Sequence, residues 1–121
     1  MKNILVIEDN EHLLRMILDL LGRSGYHVIS AIDGVAGMQA YHQAKPDLVI
    51  TDIIMPDKEG LEVIMELAKE TPKPKIIAMS GGGMMQPRTY LALADKLGAD
   101  EVIQKPFRPA ELLSLIEKLL P

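Results

Sequence analysis

Leu48-Val49-Ile50-Thr51-Asp52 is the stretch whose reading decides the fold. Lys45-Pro46-Asp47 breaks the chain just before it, and a lone carboxylate closes it. A run this short and this apolar reads as a strand buried on both faces, which means a parallel sheet. Three other runs repeat the pattern. Ile4-Leu5-Val6-Ile7 leads into Glu8-Asp9, Ile76-Ile77-Ala78-Met79 into Ser80, and Val102-Ile103-Gln104 into Lys105-Pro106. In an open parallel sheet, ligands bind outside the carboxyl ends of the strands. A carboxylate pair, a lone carboxylate, a hydroxyl and an ammonium group are therefore expected along one edge.

Between these runs the apolar period changes to that of a helix. After Asp9-Asn10, which can cap a helix, Leu14, Ile17, Leu18 and Leu21 share one face. Gly22 and Gly25 are read as the stop. A second strand is expected over His27 to Ile32 and a second helix over Gly34 to Gln43. A third helix follows Gly60 through Leu61, Ile64, Met65 and Leu67-Ala68, and Pro72-Lys73-Pro74 punctuates the approach to the fourth strand. Pro87 and Pro109 mark two further helix starts, since proline suits the first helical position. Five strand–helix units result, with short connections and no repeat. Right-handed crossovers make this α/β chain a single (βα)5 domain over residues 1–121: a doubly wound, parallel five-stranded sheet of order 2-1-3-4-5, flavodoxin-like. That order sets the first and third strands side by side and brings Glu8, Asp9 and Asp52 together.

Composition narrows the field. The chain has 121 residues, of which 48% are hydrophobic, with one Phe, three Tyr and no Trp, so the core must be aliphatic. A net charge of -4 argues against direct nucleic-acid binding. The absence of cysteine excludes disulfides and fits a reducing compartment. No apolar stretch reaches the roughly 20 residues of a membrane span, and no leader precedes the first strand. The expectation is a cytoplasmic domain without membrane contact.

Three carboxylates in contact repel one another by roughly 4 kcal/mol per pair at an effective dielectric near 20. Such a cluster must be protonated or must hold a cation. With no ring of His or Cys available, the ligands are hard oxygens and suit Mg²⁺, with Asp9 and Asp52 as ligands and Glu8 acting mainly through water. A carboxylate can also be a nucleophile and form an aspartyl-phosphate, and Asp52, alone at the end of a central strand, is the candidate. Phosphoryl transfer asks a protein for positioning and charge neutralisation. Lys105 can neutralise a second phosphoryl oxygen and Ser80 the third.

Taken in order, Glu8-Asp9, Asp52-Ile53-Ile54-Met55-Pro56 with Gly60, Ser80-Gly81 and Lys105-Pro106-Phe107 resemble the receiver domain of two-component response regulators. The resemblance spans the chain. It implies that Asp52 accepts a phosphoryl group from a histidine kinase or histidine phosphotransfer protein with Mg²⁺ present. The backbone carbonyl of Ile54 joins the implied metal set. It also implies that Ser80 moves toward the phosphoryl group while the helix from Pro87, the fifth strand and the last helix rearrange, and that the same site hydrolyses its own acyl phosphate. The signal would pass to a downstream target or to an output domain; none is expected within this sequence. Gly82 leaves little bulk over the phosphate, so no unusual longevity is expected of it. One departure concerns the readout. Receivers commonly carry Tyr or Phe three residues before the lysine, where Val102 stands here and is stiff at its first torsion. Output is then expected through Tyr90, or through a partner reading the rim, with Met84-Met85 as an adaptable patch.

Other readings fare less well. A turnover aspartyl phosphatase or phosphotransferase would want an acid two residues past its nucleophile, where Ile54 stands. A flavodoxin-like cofactor module would want a phosphate loop after the first strand in place of Glu8-Asp9. Gly81-Gly82-Gly83 lacks the ending of a nucleotide loop. His12, His27 and His42 share no ligand spacing. A docking domain that keeps the residues without being phosphorylated remains the bland alternative.

Overall fold

A computed structural model describes residues 2–53, 60–81, 92 and 96–121. Five strands, β1 (Asn3–Ile7), β2 (His27–Ala31), β3 (Leu48–Asp52), β4 (Lys75–Ser80) and β5 (Glu101–Gln104), form one sheet. Its order is β2-β1-β3-β4-β5, and every pairing is parallel. Among the described residues, the helices are α1 (Glu11–Arg23), α2 (Gly34–Ala44), α3 (Gly60–Ala68) and α4 (Pro109–Leu119). The Pro87 helix start, Ile54, Gly82, Met84, Met85 and Tyr90 lie outside the described residues.

Side-chain alternation along the strands sorts the core into two layers. Leu5, Ile7, Val49, Ile76 and Ala78 face Met38 and Tyr41 of α2 and Val63, Ile64 and Leu67 of α3. Ile4, Val6, Leu48, Ile50, Ile77 and Met79 face Leu14, Ile17 and Leu21 of α1 and Leu112 and Ile116 of α4. Helices thus cover both faces, so β1, β3 and β4 are almost wholly enclosed. Each fully buried Leu or Ile contributes roughly 2 kcal/mol.

Local signals place the ends. Asn10 caps α1, its side chain accepting the Leu13 N–H at 3.0 Å. Asp33 does the same for α2 through the Ala36 N–H at 2.8 Å, and Lys45 closes that helix in the left-handed region with φ 47°. Pro109 opens α4, and Glu111 reaches back to accept the Arg108 N–H at 3.2 Å.

Three expectations need correction. Val102-Ile103-Gln104 is not buried on both faces: β5 is an edge strand in which Ile103 alone is buried, because it pairs with β4 on one side only and no strand covers the other. The second strand stops at Ala31, and Ile32 is 57% exposed in the bend that follows. Gly22 belongs to the last turn of α1; only Gly25, with φ 93°, supplies the backbone turn that ends it.

Candidate functional site

Every strand end that the sequence singled out opens on the same edge of the sheet. Glu8 follows β1, Asp52 ends β3, Ser80 ends β4 and Lys105 follows β5. Register puts them level: Ile7 pairs with Thr51, Asp52 with Met79 and Ser80 with Gln104. Backbone bonds carry the ladder past the strands, from the Ile53 N–H to Met79 O at 3.0 Å and from the Lys105 N–H to Ser80 O at 2.6 Å. The Lys105–Pro106 peptide is cis.

Ligand oxygens of Glu8, Asp9 and Asp52 all lie within 4.8 Å of one another. Asp9 is exposed, Asp52 is 7% exposed and Glu8 is sealed. The Lys105 Nζ donates to Glu8 Oε1 at 2.7 Å and stands 3.3 Å from Asp52 Oδ1. Glu8 Oε2 accepts the Asn10 N–H at 3.0 Å. Lys105 is therefore held first by Glu8, a partnership the sequence reading missed because 97 residues separate the two. Both Glu8 oxygens already hold a donor, which suits the indirect role foreseen for it.

The cluster is electrostatically uneasy. Burial pushes the Asp52 carboxyl above its ordinary value, against the pull of the Lys105 ammonium, and the charge of Asp9 pushes the same way. Burial also raises Glu8, with the Lys105 hydrogen bond opposing it and Asp52 adding to the rise. When ionised, three carboxylates outnumber one ammonium by two charges. A divalent cation held by hard oxygens closes that deficit, so the donor set fits Mg²⁺.

Ser80 carries the second telling feature. Its residue is 2% exposed and its Oγ is buried with no hydrogen-bond partner among the described residues. A buried hydroxyl left so costs roughly 1–3 kcal/mol.

Two glycines make room for this geometry. A Cβ on Gly60 would run into the Asp52 carbonyl oxygen and come within 2.6 Å of Ile53 Cα, and the Gly60 N–H donates to Ile53 O at 2.7 Å. A Cβ on Gly81 would press to 2.9 Å on Lys105 Cβ and 3.0 Å on its Cδ. Gly81 is small so that the lysine stem can pass.

The remaining candidates fall elsewhere. Val102 is half-buried, packed on the α2–α3 layer opposite Ala78. Phe107 is half-buried, packs against the α1–α4 layer of the core and edges a pocket beside Asp52. Among the described residues no histidine joins an acidic or histidine cluster, and no helix is long and apolar enough to cross a membrane.

The sequence pattern of the response regulator receiver domain matches residues 4–117. The chemotaxis protein CheY of Thermotoga maritima is 33% identical over 119 residues, which cover 98% of this chain and 97% of that protein. The alkaline phosphatase synthesis transcriptional regulatory protein PhoP of Bacillus subtilis is 32% identical over 119 residues. There the match takes in 48% of the relative, and in the probable transcriptional regulator ycf27 of Guillardia theta, 34% identical, it takes in 45%. The chain thus spans about half the length of these two curated relatives. A solved receiver domain from Clostridium thermocellum superimposes with a TM-score of 0.91 at 31% identity, over 99% of this chain and 94% of that one.

Proposed function

The chain belongs to the response regulator receiver domain family, a class of phosphorylation-dependent signalling switches, and on that premise we propose that Asp52 is its phosphoacceptor. The observation that carries the reading is the Asp52 carboxylate, grouped with Glu8 and Asp9, 3.3 Å from the Lys105 ammonium and on the sheet edge where Ser80 has a buried, unpartnered Oγ.

An Asp52 carboxylate oxygen attacks phosphorus in the donor, the bond from phosphorus to its leaving group breaks, and that electron pair departs with the leaving group. Lys105 then has a phosphoryl oxygen to hold beside Glu8. The Ser80 hydroxyl turns its proton to another oxygen and loses its orphan state. Asp9 and Asp52, with the Ile54 carbonyl, would hold Mg²⁺ and Glu8 would act through water; the bound ion would supply neutralisation of phosphoryl and carboxylate charge. The donor is a histidine kinase or a histidine phosphotransfer protein. The only reaction catalysed is the domain's own phosphorylation and dephosphorylation at Asp52. A downstream protein or an output domain reads the result in the cytoplasm, without nucleic-acid or membrane contact by this domain. With Val102 in place of an aromatic ring, that readout runs through the segment bearing Met84, Met85 and Tyr90.

Intact mass after incubation with acetyl phosphate and Mg²⁺ tests the proposal. One added phosphoryl group is expected, and none with EDTA or in Asp52→Asn. Equal addition to wild type and Asp52→Asn would place the acceptor elsewhere.

A further inference from the structure

Beside Asp52 opens a pocket of about 600 Å³, lined by Leu13, Met16, Asp52, Gly81, Lys105 and the Pro106-Phe107 pair. Its floor and its wall differ in chemistry. The Asp52 carboxylate and Lys105 ammonium stand at one side. Leu13 and Met16, one helical turn apart on α1, line the pocket together with Phe107 and supply its apolar part. Met16 is 43% exposed, so its apolar side chain is open to a ligand entering the pocket. The size falls in the range of small-molecule sites, which are mostly apolar with a few placed polar groups.

We propose that this pocket is an acyl subsite, which seats the leaving group of a small acyl phosphate whose acyl part is aromatic or branched. The inference rests on the reading of Asp52 as phosphoacceptor and adds the class of small donor it takes best. A donor of this kind is anionic at one end and apolar at the other, matching the two sides of the pocket. Its phosphoryl group meets Asp52 and Lys105, and its hydrocarbon lies against Leu13, Met16 and Phe107. The Asp52 oxygen forms the new bond to phosphorus. The old bond to the acyl oxygen breaks, its electron pair leaves with that oxygen, and a free carboxylate is released; nothing is oxidised or reduced. Methionine adapts its shape to irregular ligands, which favours a range of acyl groups over one.

The experiment compares benzoyl phosphate with acetyl phosphate as donor, in Mg²⁺ buffer, following intact mass with time. Wild type, Met16→Ser and Leu13→Ser are run together, with circular dichroism to establish that each is folded. The rate ratio of the two donors is compared between variants, which cancels their intrinsic reactivities. The ratio is expected to fall severalfold in each variant, the discrimination that a few buried carbons bring. An unchanged ratio overturns the acyl subsite while leaving the phosphoacceptor intact. So does slower transfer from a histidine phosphotransfer partner with an unchanged donor ratio, for the wall would then belong to a protein interface. No mass gain from either donor in wild type would overturn the phosphoacceptor reading itself.

Discussion

The two ends of the sheet use the same residue types to opposite effect. At the end where the strands begin, Asp47 accepts the Asn3 N–H at 2.9 Å, and Asp100 accepts the Ile76 N–H at 2.8 Å and the Lys73 Nζ at 2.7 Å. Each carboxylate there finds backbone or ammonium donors, and each ties one strand to the next. At the end where the strands finish, Glu8, Asp9 and Asp52 crowd together around a single lysine, and burial raises two of them above their ordinary values. One end uses charge to close the fold. The other keeps negative charge in excess, which a divalent cation can offset.

Substitutions at the two ends should separate these roles. The largest effect is expected from Gly60→Ala, because its Cβ would collide with backbone atoms of Asp52 and Ile53 that cannot turn aside. A loss of about 3 kcal/mol is expected in chemical denaturation, with weakened phosphoryl uptake, since the acceptor's own backbone must shift. An unchanged midpoint would mean that this end is looser than the contrast requires.

Next comes the cation. At a hundredfold excess over its dissociation constant, Mg²⁺ should stabilise the wild type by about 2.7 kcal/mol and Asp52→Asn by far less. If both variants respond alike in a thermal melt, the three carboxylates are not the binding site.

At the opposite end, Asp100→Ala strands the N–H of Ile76, a wholly buried residue, and removes the ion pair of Lys73. A loss of about 2 kcal/mol is expected, with phosphoryl uptake kept. Were uptake to vanish in a folded Asp100→Ala protein, the two ends would be coupled and the division drawn here would fail.

The smallest effect is one of pH. A carboxyl whose folded value is raised contributes stability that is fully present below its unfolded value and is lost as pH rises through the folded one. Metal-free wild type should therefore lose stability relative to Asp52→Asn on going from acid to neutral pH. The difference comes chiefly from ionising a buried carboxyl, with the Lys105 ammonium opposing it and the Asp9 charge adding to it. Parallel stability curves for the two proteins would count against a strained Asp52.

Much of this was legible in the chain because the signals are local. Strand length, the switch from period 2 to period 3.6 and the prolines at helix starts all act within a few residues. Ile4-Leu5-Val6-Ile7 and Leu48-Val49-Ile50-Thr51 could be read as enclosed strands, and their closing residues as neighbours, because parallel topology carries strand ends to one edge. The readings that failed needed neighbours the sequence does not name. Val102-Ile103 is as apolar as the start of an inner strand, yet its place at the sheet edge leaves Val102 only half-buried. Ser80 could be placed at the site from its position, but its lack of a partner is visible only when every nearby donor and acceptor is in place.

The sequence by itself determined the architecture, the strand order and the placing of Glu8, Asp9, Asp52, Ser80 and Lys105 along one sheet edge, through hydrophobic period, breakers and the residue that ends each run. Only the tertiary structure decided that Lys105 rests closer to Glu8 than to Asp52, that Gly60 and Gly81 yield space to Asp52 and Lys105, and that Leu13 and Met16 wall a pocket beside Asp52. The reason is physical. Period and propensity act within a few residues, whereas a charge's partner, a glycine's crowding and a pocket's wall depend on atoms that only folding brings within a few ångströms.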